Sequence, residues 1–132
     1  MARIDWAAMC DTAFLDDQQR LCVIGMIRDI PVDTLPVTLP HITLVARLAD
    51  IQPVDEINVA VGMVTPSGER SARTGSGGVR IEMARDFVMA TISNLDLTEE
   101  GVHYFQVRLR GQPILALPVE VQPRRHQPFP VQ

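Results

Sequence analysis

The sequence predicts an all-β protein, an antiparallel β-sandwich of about eight short strands, on three observations. Apolar and polar residues alternate through much of the chain, the period of a strand with one wet face. Gly, Pro and Asp signals close these runs at intervals of roughly 8 to 12 residues. No series of helical-period segments is present to cover a parallel sheet.

The first strand is read over residues 4–15 and ends at Asp16-Asp17-Gln18-Gln19. Ala7, Ala8 and Ala13 also admit an amphipathic helix over 4–14. A second strand covers 20–30 and is followed by a connection from Pro31 to Pro40. Strands over 41–49 and 56–64 end at Asp50 to Pro53 and at Thr65-Pro66-Ser67-Gly68. The second half alternates most clearly: Val79, Ile81 and Met83 interleave with Arg80 and Glu82, and a strand from Phe87 to Ile92 follows. His103, Phe105, Val107 and Leu109 then alternate with Tyr104, Gln106, Arg108 and Arg110, and Arg110-Gly111-Gln112 turns the chain into Leu115, Leu117, Val119 and Val121. One domain is expected over 1–122, with a Pro-rich tail over 123–132 that cannot continue a sheet.

With 132 residues the chain can bury one core without a covalent staple. Its net charge of −4, single Trp and single Tyr offer little to phosphates or stacked bases, so nucleic acid is not an expected partner. Asp5 and Asp11 interrupt what would have to be an apolar signal segment, and no stretch approaches the ~20 apolar residues of a membrane helix. The chain is therefore read as cytoplasmic, with no membrane partner. A reducing compartment keeps Cys10 and Cys22 as thiols, two small apolar groups, with a disulfide between neighbouring strands as the alternative. Their spacing does not suit a zinc site.

Two resemblances follow from particular residues. Leu97-Thr98-Glu99-Glu100-Gly101-Val102-His103-Tyr104-Phe105 resembles the corner entering a late strand of immunoglobulin-like sandwiches, which makes the expected fold immunoglobulin-like or C2-like. Strict alternation puts His103, and not Tyr104, in the inward corner position. The runs Met9 to Asp16, Leu21 to Ile27, His41 to Leu48 and Gly101 to Val121 are similar to a family of small uncharacterised bacterial β-sandwich proteins. That resemblance implies fold and a bacterial origin; it carries no catalytic residue, cofactor or ligand.

Antiparallel strands reverse at each turn, so counting along the chain gathers Asp16, Asp17, Asp50, Asp55, Glu56 and Asp86 at one end. These carboxylates are the candidate metal ligands, for calcium, although no loop has the close Asp-x-Asp spacing of a committed site and a solvated acidic rim is the plainer reading. The Gly/Ser-rich stretch Glu69 to Gly78 has neither a following helix nor a Gly-Lys-Ser/Thr, so it reads as a hairpin loop and not a phosphate cradle. His41, His103 and His126 are not expected to converge, and Ser67, Ser71, Ser76 and Ser93 lack a Gly-x-Ser-x-Gly context. No catalytic residue and no cofactor are expected.

The function expected is a non-catalytic module binding another protein or a second copy through a sheet face, an edge strand or the tail; the alternative is a small-ligand or calcium sandwich using the acidic end. Self-association is suggested by an apolar surplus. Cys22, Ile24 and Met26 alternate with Val23, Gly25 and Ile27, and Val88 is followed by Met89, so both faces of those strands are apolar. The second face is expected to be covered by the Pro31 to Pro40 connection, by the tail or by another chain.

Overall fold

The structure, a computed structural model, describes residues 2–53, 57–71, 78–110 and 112–124. Among the described residues it is a β-sandwich of ten strands with no helix: β1 (Arg3–Leu15), β2 (Leu21–Met26), β3 (Asp29–Val32), β4 (Val37–Ala49), β5 (Val59–Val64), β6 (Arg70–Ser71), β7 (Val79–Ala84), β8 (Phe87–Leu97), β9 (Gly101–Leu109) and β10 (Leu115–Pro123). Sheet I has the order β2-β1-β4-β8-β7 and sheet II the order β3-β10-β9-β5-β6. All pairings are antiparallel except that of β3 with β10, so sheet II is mixed. Residues 4–14 form strand and not helix, because this segment is apolar on both sides: Ala7 and Met9 pack toward the sandwich core, Ala8 and Cys10 on the opposite face.

Of the two strands beyond the predicted eight, β6 is a two-residue pairing with β5 inside the expected Glu69 to Gly78 loop, and β3 arises from the second predicted strand. The apolar run 20–30 is split between β2 in sheet I and β3 in sheet II, with the chain crossing between the sheets at Ile27-Arg28. Much of the connection expected from Pro31 to Pro40 is consequently strand. Pro31 is tolerated because β3 is an edge, where a missing N–H need not face a partner. Pro40 lies where the β4–β8 ladder skips a rung opposite Asn94, whose φ is +51°. Sheet pairing also runs further than predicted at the C-terminal side of the domain. Pro123 remains in register with Val32, and the next N–H, of Arg124, donates to the Val32 carbonyl at 2.8 Å. The rest of the expected tail, from residue 125, lies outside the described residues.

Between the sheets, Ile42, Leu44, Ala46 and Leu48 of β4 and Val88, Ala90 and Ile92 of β8 meet Phe105, Val107 and Leu109 of β9 and Val119 and Val121 of β10. His103 continues the inward row of β9, buried as the alternation predicts, while Tyr104 is exposed. A carbonyl can only accept, so the 3.1 Å contact of His103 Nδ1 with the Gly101 carbonyl assigns the proton to Nδ1. Nε2 is buried with no hydrogen-bond partner among the described residues.

Candidate interaction surface

The two-sided apolar pattern of the sequence becomes a second, smaller core. Val45 and Met89, opposite one another on β4 and β8, point away from the main core and join Ala8 and Cys10 in a buried cluster on the outer face of sheet I. Ala13, Leu21 and Val23 of the β1–β2 hairpin, together with Ala84, pack against it. The cover of this cluster is therefore the chain's own hairpin, which was not among the covers expected from the sequence, the Pro31 to Pro40 connection, the tail or another chain. Burial pushes the Cys10 thiol up to about 11, with the neighbouring Asp11 carboxylate adding to the shift. Both cysteines are free thiols.

The hairpin is held from its turn. Asp16 Oδ1 accepts the backbone N–H groups of Gln18 and Arg20, each at 2.9 Å, and Oδ2 accepts Arg20 Nε at 2.7 Å. The Arg20 backbone bond holds the Asp16 carboxyl below its usual range; desolvation opposes it, and the Arg20 side chain and the Gln18 N–H add to the lowering. At the other end β1 leaves β4 after the Cys10–Thr43 rung and pairs with β2 alone. There Thr43 Oγ1 donates to the Asp11 carbonyl and His41 Nε2 lies 3.3 Å from Asp11 Oδ1. Gly25, with φ +69°, brings β2 so close to β1 that an added Cβ would stand 3.1 Å from that of Asp11.

What the hairpin presents outward is apolar. Ile24 is 52% and Met26 62% exposed, with Phe14 exposed on the neighbouring strand. Among the described residues β2 has one strand neighbour, so its other edge is a row of free backbone groups. The Asp16 N–H donates to the Arg20 carbonyl, making that pair a hydrogen-bonded rung. Counting on in steps of two, Cys22 and Ile24 turn their backbone groups to β1, while Leu21 and Val23 turn theirs outward. Of the other terminal strands, β3 is four residues long with Asp29 and Pro31 exposed, β7 carries the exposed ion pair Arg80–Glu82, and β6 has two residues, which cover Met63 and Val64 of β5 and leave Val59 to Gly62 without a strand neighbour among the described residues. β2, Leu-Cys-Val-Ile-Gly-Met, has no charge and no proline.

The acidic residues proposed as metal ligands divide between the two ends of sheet I. Asp16 and Asp17 follow the last residue of β1, whereas Asp50 follows the end of β4 that pairs with the start of β1, ~40 Å away along that strand. Asp86 is with Asp50 at that second end; its carboxylate accepts Arg47 Nε at 3.1 Å, and Asp50 accepts Arg3 Nε, also at 3.1 Å. The insertion of β3 explains the division, because one additional crossing reverses the direction in which β4 runs. Asp55 and Glu56 lie outside the described residues, and among the described residues no three His, Cys, Asp or Glu side chains are placed to hold a metal ion.

Two arrangements had no visible sequence signal. His41 faces Ser93 across β4 and β8 with Asp11 beside it, which depends on β4 starting before Pro40. On this open sheet face the row serves to pin the departing β1. On the outer face of sheet II a shallow groove is lined by Asn58, Ala60, Gly62, Gln106 and Arg108. His103 is in the core, apart from His41, and His126 lies outside the described residues.

The profile of a family of unknown function, DUF6941, matches residues 5–122. The chain belongs to this family. As a DUF6941 member it has the whole matched span in the two-sheet sandwich, from β1 to the next-to-last residue of β10. No curated protein and no solved structure matches the chain. No helix among the described residues is long and apolar enough to cross a membrane.

Proposed function

We propose that this protein is a non-catalytic binding module that takes a protein partner onto the free edge of β2 as an added strand. One observation carries the reading: β2 is a six-residue terminal strand without charge or proline, and it carries the exposed apolar side chains of Ile24 and Met26. Main-chain bonds from Leu21 and Val23 supply affinity in such a mode, and the alternate side chains supply selectivity. The rigid backing of the hairpin by the Ala8–Cys10–Val45–Met89 cluster lowers the ordering cost of binding. Two free thiols fit a reducing, cytoplasmic setting, and the resemblance of the sequence points to a bacterial one. No observation favours the calcium or small-ligand alternative at the acidic end, since Asp16 and Asp17 stand away from Asp50 and Asp86.

Site-specific photo-cross-linking in the native cell tests this. A photoreactive residue at Ile24 should give discrete protein adducts, and one at Met83 on the β7 edge should give none. Equal labelling from both edges, or none from Ile24, overturns the reading.

A further inference from the structure

We infer that the groove on the outer face of sheet II binds a small phosphate monoester, with the phosphate on Arg108 and Arg110 and the organic body over Ala60 and Gly62. The 12 cationic side chains of the protein are all arginines. Arg3, Arg20, Arg47, Arg80 and Arg124 each lie against an Asp or Glu. Arg108 and Arg110 have no carboxylate partner among the described residues; Arg28 and Arg85 lack one too, but they stand singly in separate connections. Alternation along β9 turns Arg108 and then Arg110 to the same outer face, ~7 Å apart along the chain, while Val107 and Leu109 enter the core. The carboxylates described on the strands of this sheet, Asp29 and Glu120, are in register with Val102 at the other end of β9, ~20 Å from Arg108. Two like charges held side by side without a counter-charge favour an anion between them.

Beside this pair the sheet surface is hollow. Ala60 faces Arg108 and Gly62 faces Gln106 across the ladder, and the Arg110 N–H donates to the Asn58 carbonyl at 3.1 Å, which fixes the arginine row against β5. The small residues of β5 leave a depression of about 480 Å³ next to the guanidinium groups, continuous at Ala60 and Arg108 with a smaller one that ends at half-exposed Ile114. That volume is within the range of small-molecule sites and has room for one planar body. A guanidinium fork matches two oxygens of a phosphate. A monoester, with up to two negative charges and three terminal oxygens, engages both forks where a carboxylate satisfies one. The site is on the other sheet from β2 and from the acidic ends of sheet I, so it stands independently of strand addition.

Amide chemical-shift titration of the purified full chain tests this, with phenyl phosphate as the probe and inorganic phosphate, benzoate and benzyl alcohol beside it. Phenyl phosphate should shift the amides of Ala60, Gly62, Gln106 and Arg108 with a Kd on the order of 1 mM, and the other three should bind at least ~5-fold more weakly. Arg108→Gln and Arg110→Gln, at exposed side chains, should each weaken phenyl phosphate ~3- to 10-fold, while Arg85→Gln leaves its Kd unchanged. No shift of these amides, or binding that survives both substitutions at Arg108 and Arg110, overturns the site. Benzyl alcohol binding as tightly as phenyl phosphate would reduce it to apolar adhesion, and benzoate doing so would remove the phosphate; either overturns the assignment. Co-sedimentation with vesicles of phosphatidic acid in phosphatidylcholine, lost in Arg108→Gln, would place the phosphate on a membrane surface and overturn the small-molecule assignment.

Discussion

β2 and β7 close the two edges of the same sheet with six residues each, yet they are built in opposite ways. β7 reads Val-Arg-Ile-Glu-Met-Ala: its odd positions follow the core side of β8, while Arg80 and Glu82 put an ion pair on the outer face. β2 reads Leu-Cys-Val-Ile-Gly-Met, has no charge, and belongs to a hairpin that leaves the main sandwich for a small cluster of its own. The contrast teaches that exposure alone does not mark an interaction edge. Ile81 and Met83 are exposed as well, but the charges between them make pairing with another strand costly. At β2 nothing opposes such pairing, and a dedicated cluster holds the strand ready.

If that cluster supports β2, truncating it must cost far more than truncating the β7 edge. Met89→Ala should destabilise the protein by about 2–5 kcal/mol in denaturant melts, the range for buried Met or Leu truncations. Met83→Ala, at a side chain 43% exposed, should cost less than ~1 kcal/mol. Amide exchange adds direction, since Cys22 and Ile24 should lose protection in Met89→Ala before the β8 amides do. Equal costs at the two methionines would mean that the outer cluster is not a support.

The turns on the two sides sharpen the same contrast at a smaller scale. Gly25 needs its φ of +69° and its close approach to Asp11, so Gly25→Ala should cost about 1–2 kcal/mol. Arg85, in the turn between β7 and β8, already adopts φ +56° with a side chain. Arg85→Gly relieves that backbone while adding chain entropy to the unfolded state, and it should change stability by less than ~1 kcal/mol. A Gly25→Ala variant as stable as the parent would show that the hairpin can be straightened, and β2 would no longer be a fixed edge.

Legibility in the sequence follows the same divide. Alternation located the strands at Val79, His103 and Leu115 and put His103 on the inward side, because burial of one face fixes the register, whereas the Phe87 to Ile92 strand, apolar on both faces, was read from its apolar run. In the first half the run from Leu21 to Ile27 is apolar throughout and only Arg28-Asp29 separate it from Ile30, and such a run does not say where it changes sheets. The crossing at Ile27-Arg28 was hidden for that reason, and with it the reversal that sends Asp50 away from Asp16. Pro36 and Pro40 looked like a loop because a skipped rung opposite Asn94 has no local signature. The apolar surplus at Cys22, Ile24, Met26 and Met89 was visible. That β2 would be an edge was not, since strand order is a property of the whole sheet.

The smallest effect lies at the hairpin turn and is read from pH. The Asp16 carboxylate is held below its ordinary value, first by the Arg20 backbone N–H and then by its side chain and the Gln18 N–H. A carboxyl lowered in the folded state contributes stability that is complete above its unfolded value, near 4, and is lost as pH falls through the lower folded value. Because the group is exposed, the loss should appear locally and not as global unfolding. The amides of Gln18 and Arg20 should therefore exchange faster below pH ~4 than at neutrality, while the β7–β8 turn amides serve as the reference. Asp16→Ala should reproduce the acid-state exchange of those two amides at pH 7 and remove its pH dependence. Protection at Gln18 and Arg20 that is unchanged by acid and by Asp16→Ala would place the rigidity of the turn in its backbone, with the Asp16 N–H to Arg20 carbonyl bond of 2.9 Å closing the hairpin alone.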